Sequence, residues 1–187
     1  MTPEEGAQLY QAPEFATIKA EADDYVAVSD FGLPASVPRR SINHGHQFIE
    51  ESARAIEIVS ATYFALKHGA HGGDANAPEL APYLNKASEL WRDIAHWGPV
   101  YLWTESGSSN LDSENRGWRE GDIALRSWLP GAFVSYDAIR DDLSAADSAE
   151  IDTWLSDLQD TMWNSPPLYD VNHNRGSCRF AIAHVLA

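Results

Sequence analysis

Cysteine is nearly absent: Cys178 stands alone in 187 residues. An internal disulfide and a thiolate metal site are therefore both excluded. Arg179 beside it would favour the thiolate, but a buried, inert thiol is the simpler account. Basic residues are also scarce, with 13 Lys and Arg against 28 Asp and Glu, a net charge of −15. Phosphate backbones and anionic lipid surfaces both need clustered cations, so no nucleic-acid and no membrane partner is expected. An anionic sugar stays open, because a local basic pocket can sit within an acidic envelope. No run approaches the roughly 20 apolar residues of a membrane span. The opening Met1-Thr2-Pro3-Glu4-Glu5 has neither the basic segment nor the apolar run of a secretory signal. Phosphate-binding glycine loops, nucleophile elbows and zinc-binding helix motifs are missing too, so no cofactor and no metal is expected.

What is present is helical periodicity. Hydrophobic residues make up 44% of the chain, enough for one folded core, and 1–187 reads as a single helical domain. Glu4 to Val28 reads as a helix broken near Pro13, with Phe15, Ile18, Ala22 and Val26 apolar. His46 to His68 carries Phe48, Ile49, Ala53, Ile56, Val59, Tyr63 and Leu66 on one stripe, with Gly69 as its stop. A flexible Gly69–Pro78 connection leads to a helix over Leu80 to Trp97, ended by Pro99. The polar segment from Thr104 to Asn115 reads as a long loop. Ile123 to Leu143 is helical in pattern, with Pro130-Gly131 marking a kink or the true start. Ser144-Ala145-Ala146-Asp147 resembles a capping box for a helix running to Trp163. A last helix begins near Asn172. Its apolar run Ala181, Ile182, Ala183, Val185, Leu186, Ala187 reaches the final residue without a polar stop, so truncation at the C-terminus is expected. The fold class is all-α, built of helical hairpins.

Two segments gather chemistry. Tyr169 to Ser177 places Asn172, His173 and Arg175 at an expected helix start, where backbone N–H groups favour anions. Asn172, Arg175 and Arg179 share one helical face and could hold a carboxylate; a capped helix start with surface arginines is the plainer alternative. Arg39, Arg40 and His44 form a local basic patch that could bind sugar carboxylates, against the plainer reading of Asn43 as a helix cap. His44 and His46 could both reach a metal only from an extended segment, and no carboxylate completes a set. Trp103 and Trp118 flank or adjoin the long loop, where aromatic rings could stack on sugar faces or simply pack in the core. Glu105, Asp112, Glu114, Glu120 and Asp122 leave a glycoside hydrolase as an alternative.

Asn172-His173, following Tyr136-Asp137-Ala138-Ile139, Leu143-Ser144 and Ile151-Asp152-Thr153-Trp154-Leu155, resembles the alginate-lyase superfamily from about Leu80 onward. The resemblance implies an α/α toroid or barrel, incomplete here, that cleaves uronate polymers of alginate or glucuronan type by β-elimination. Asn172 would neutralise the substrate carboxylate as enediolate charge develops, and His173 would take the C5 proton or share in neutralisation. Arg175 would stand in for an arginine that the family, like its catalytic tyrosine, places well downstream; both are expected to lie beyond residue 187. The family commonly has an aromatic shortly after the histidine, where this chain has Asn174-Arg175-Gly176-Ser177. Arg39, Arg40, His44, Trp103, Trp118 and Arg179 would line the substrate path. The partner is an acidic polysaccharide, with self-association through helix faces that an incomplete toroid exposes. Family members imply a periplasmic or secreted location. A non-catalytic helical carbohydrate-binding or interaction protein is the alternative from another class.

Overall fold

The computed structural model describes residues 1–28, 42–102 and 129–164, with side chains outside 42–49, 96–102 and 160–164. These residues are all-helical and include no strand. Six α-helices are seen: α1 (Pro3–Gln11), α2 (Phe15–Ala27), α3 (Ile42–Gly69), α4 (Ala81–Leu102), α5 (Leu129–Ile139) and α6 (Ala145–Asn164). Short 3-10 turns precede α4 and follow α5.

Local chemistry sets several of these ends. Thr2 caps α1: the Glu5 N–H donates to Thr2 Oγ1 at 3.3 Å and the Thr2 N–H donates to Glu5 Oε2 at 2.7 Å. Pro13 falls between α1 and α2, as expected from its ring and missing donor. Ser144 caps α6 through the Asp147 N–H at 3.1 Å, but its hydroxyl donates to the Asp147 carboxylate, so only half of the reciprocal box forms.

Four expectations need correction. α3 starts at Ile42, so Asn43 lies inside it rather than capping it, and its backbone is helical where a two-histidine site would need an extended segment. α4 runs through Pro99 to Leu102, giving up the hydrogen bond that proline cannot donate. Gly69 does not supply the left-handed turn after α3; Gly72 and Gly73 do, with φ of 59° and 94°. Gly69 is needed because the Tyr10 side chain packs where a Cβ would stand. The 69–78 connection is also pinned, by Asp74 Oδ1 accepting from the Asn76 N–H at 2.9 Å and by His71 Nε2 lying 3.1 Å from Glu79 Oε1.

α3 is the central element, packed by α1, α2, α4 and α5. Between Glu51 and Gly69 only Arg54 is exposed. Small residues such as Ser52, Ala53, Ala55, Ser60 and Ala65 let neighbours approach from several sides. Contacts also fix directions. Gly6 lies on Phe64 and Tyr10 on Gly69, while Gly131 lies on Glu57 and Asp142 on Lys67. α1, α3 and α5 therefore run side by side in the same sense. α2 runs back along α3, its start against Tyr10 and Glu21 bonded to Arg54. α4 packs on α2 and α6, giving a second row behind the first. Between the rows Trp91 meets Phe133, Tyr136 and Trp154 at ring-centroid distances of 6.1, 5.4 and 6.2 Å.

Candidate functional site

Asn172, His173, Arg175 and Arg179 lie outside the described residues, as do Arg39, Arg40, Trp103 and Trp118. His44 lies on the first turn of α3, with no described side chain. The loop carboxylates from Glu105 to Asp122 fall outside as well. What is described is the scaffold those residues attach to, and the polar chemistry fixed upon it.

That chemistry repeats one device: a tyrosine, a carboxylate and a cation placed where helices meet. On α2, Glu21 accepts from Tyr25 at 3.3 Å and from Arg54 of α3 at 2.7 Å. Asp23 accepts from Tyr83 of α4 and, at 2.8 Å, from Lys19, whose ammonium also lies 5.6 Å from the Tyr83 ring centre. Tyr136 of α5 donates to Asp152 of α6 at 2.8 Å, and Arg140 grips the same carboxylate at 2.6 Å. Finally Lys67 pairs with Asp142 at 2.5 Å, with the Tyr63 hydroxyl beside that carboxylate but closing no hydrogen bond.

The electrostatic consequence is uniform. Burial, the largest cause in each case, pushes Tyr25, Tyr63, Tyr83 and Tyr136 above the usual phenol range, and the adjacent carboxylate pushes the same way. A tyrosine that abstracts a carbon-bound proton needs the opposite shift. Tyr83 and Tyr136 tie helices together through their hydroxyls, whereas Tyr25 bonds Glu21 within α2 and Tyr63 makes no hydrogen bond among the described residues. Asp23 and Asp152 are held below the carboxylate range, chiefly by hydrogen bonds from Lys19 and Arg140 respectively.

Glu57 is the exception. Its carboxyl lies over Gly131, in the space a Cβ would occupy, and burial raises its pKa against the weaker pull of Arg54. No hydrogen bond to it is made by any described residue. A raised folded-state pKa means the native state binds more protons than the unfolded chain, so stability falls as pH rises through that interval. Glu57→Gln, equal in shape and uncharged, is therefore expected to raise the thermal midpoint at about pH 7 and leave it unchanged near pH 3. Equal midpoints at both pH values would show that Arg54 fully offsets the burial.

A groove of about 470 Å³ opens between α4 and α6. Asn85, Ser88 and Arg92 line it from one stripe of α4, at spacings of three and four residues. Asp147 and Glu150 face them from the first turns of α6, and bind Arg92 Nε at 3.4 and 3.1 Å. Glu89 and Asp93 complete the rim. The α4 stripe is legible in sequence as the polar edge beside the Leu84–Trp91 apolar face; its pairing with α6 is not. Among the described residues no group of three or more His, Cys, Asp or Glu is placed to hold a metal ion, and no helix is long and apolar enough to cross a membrane. Compared with protein-family models, curated proteins and solved structures, the chain matches none.

Proposed function

We propose that this chain belongs to a uronate-polymer lyase built on an α/α toroid, cleaving alginate-like or glucuronan-like polymers by β-elimination. The observation that carries the proposal is Asn172-His173, with Arg175 and Arg179 following, just after a run of paired helices. The parallel α1, α3 and α5 backed by α2, α4 and α6 are the kind of array that such a toroid extends. Asn172 and Arg175 neutralise the substrate carboxylate, which acidifies the C5 proton, and His173 removes it. Arg39, Arg40, His44, Trp103 and Trp118 lie along the polymer path.

The test is incubation with a panel of polyuronates while following ultraviolet absorbance from the new C4–C5 double bond. Product that disappears in His173→Ala is the expected result. New reducing ends without that absorbance would make the protein a hydrolase. Saturable oligouronate binding by folded protein, with no product, would make it a binding protein.

A further inference from the structure

We infer that the groove between α4 and α6 binds a neutral, hydroxyl-rich saccharide of one or two units, separately from any uronate cleft. Four carboxylates line it, yet none is idle. Asp147 and Glu150 share Arg92, and Asp147 also accepts from the Ser144 hydroxyl at 2.8 Å. Glu89 pairs with the Lys86 ammonium at 2.7 Å, and Asp93 is engaged as well.

The groups left over are neutral. Ser88 is only 8% exposed, lines the groove, and makes no hydrogen bond to any described residue. The hydroxyls of Ser52, Ser60 and Thr62, also unpartnered among the described residues, are sealed in the core, whereas that of Ser88 faces the groove, where a ligand can meet it. The Asn85 amide, one turn away and also lining the groove, is likewise unbonded among the described residues. A hydroxyl and an amide each donate and accept, as sugar hydroxyls do. The guanidinium, held through Nε by both α6 acids, keeps its remaining N–H groups for a ring or linkage oxygen.

Charge selects against the acidic sugars of the proposed reaction. Four carboxylates against Arg92 and Lys86 leave an excess of negative charge that repels a uronate. The volume falls within the range of about 300–1,000 Å³ usual for small-molecule sites. The groove is open and has no aromatic wall, so affinity is weak, with a dissociation constant around 1 mM.

The experiment is a nuclear magnetic resonance titration of the whole chain with maltose, cellobiose, D-glucosamine and D-glucuronate. Maltose or cellobiose should move the Asn85 side-chain amide and the Ser88 and Arg92 backbone amides, with saturation. D-glucuronate should leave them still. Ser88→Ala, which removes one unbonded oxygen and nothing the fold uses, should weaken neutral-sugar binding about fivefold to tenfold, as should Asn85→Ala on the exposed edge. Silence from both neutral sugars, or D-glucuronate binding as tightly as they do, overturns the inference. So does a response to D-glucosamine alone, which would make the groove an amine site. None of these outcomes touches the lyase reading, which rests on Asn172 and His173.

Discussion

Trp91→Ala should destabilise the fold by about 3–5 kcal/mol, the range for deleting a fully buried indole. Trp91 is 0% exposed. Its ring meets both α5 and α6, Phe133 and Tyr136 on the first and Trp154 on the second. An alanine there leaves a cavity bordered by three rigid aromatic rings, which can only partly close. For a chain of this size the loss corresponds to a fall of roughly 10 °C in thermal midpoint. Trp91→Phe is the informative companion. The Trp91 indole N–H has no hydrogen-bond partner among the described residues, so phenylalanine removes an unpaired buried donor while keeping most of the packing. Its cost should be well under half that of alanine. A Trp91→Ala midpoint within a degree or two of the parent would show that α5 and α6 are not held through this ring.

Much of this core could be read from spacing. Ala53, Ile56, Val59, Tyr63 and Leu66 were expected on one stripe and are all buried, as are Tyr83, Ala87, Leu90, Trp91 and Ile94. What periodicity understates is how α3 is used. A single amphipathic stripe implies one buried face, but Ser52, Ser60 and Thr62 are buried as well. Their small polar side chains read as surface in sequence; they are inside because four helices crowd α3. Thr2-Pro3-Glu4-Glu5 carries a capping signal of its own, which starts α1 at Pro3, one residue before the Glu4 that periodicity marks. Pro99 misled for a physical reason: proline's penalty is a weak veto when a helix is already long and packed.

The site is less legible because its parts come from distant positions. Nothing local in Glu57 or Gly131 announces that a carboxyl of α3 fills the notch left by a glycine of α5. Ser88 is an ordinary helix serine until α6 is laid beside it. Clamps such as Tyr136–Asp152 and Tyr83–Asp23 join residues 16 and 60 positions apart. Composition could say that carboxylates outnumber cations. It could not say that so many would be spent between helices, leaving the sites with neutral hydroxyl and amide groups. The Asn172 to Arg179 segment is the reverse case, because the chemistry proposed for it is written in adjacent residues.

Asp142→Ala should cost about 3 kcal/mol, the lower end of what breaking a buried ion pair costs. Lys67 and Asp142 lie 2.5 Å apart with each side chain only 14% exposed, so the ammonium left behind would be mostly shut off from water. The Tyr63 hydroxyl would lose the carboxylate beside it in the same stroke. The contrast is Arg140–Asp152, where side chains 51% and 37% exposed let water and salt screen the pair. Breaking that one by Arg140→Ala should cost far less than breaking the buried pair. Burial, not separation, decides the ranking, since the two distances differ by only a tenth of an ångström. A further consequence separates a costly orphan from a strong bond. If the loss in Asp142→Ala comes from stranding Lys67, then Lys67→Met combined with Asp142→Leu should recover most of it, because no buried charge remains. Chemical denaturation of the two single variants and the double one measures this directly. A double variant as unstable as Asp142→Ala would mean that the pair itself, rather than the avoided orphan, holds the end of α3 against the turn that follows α5.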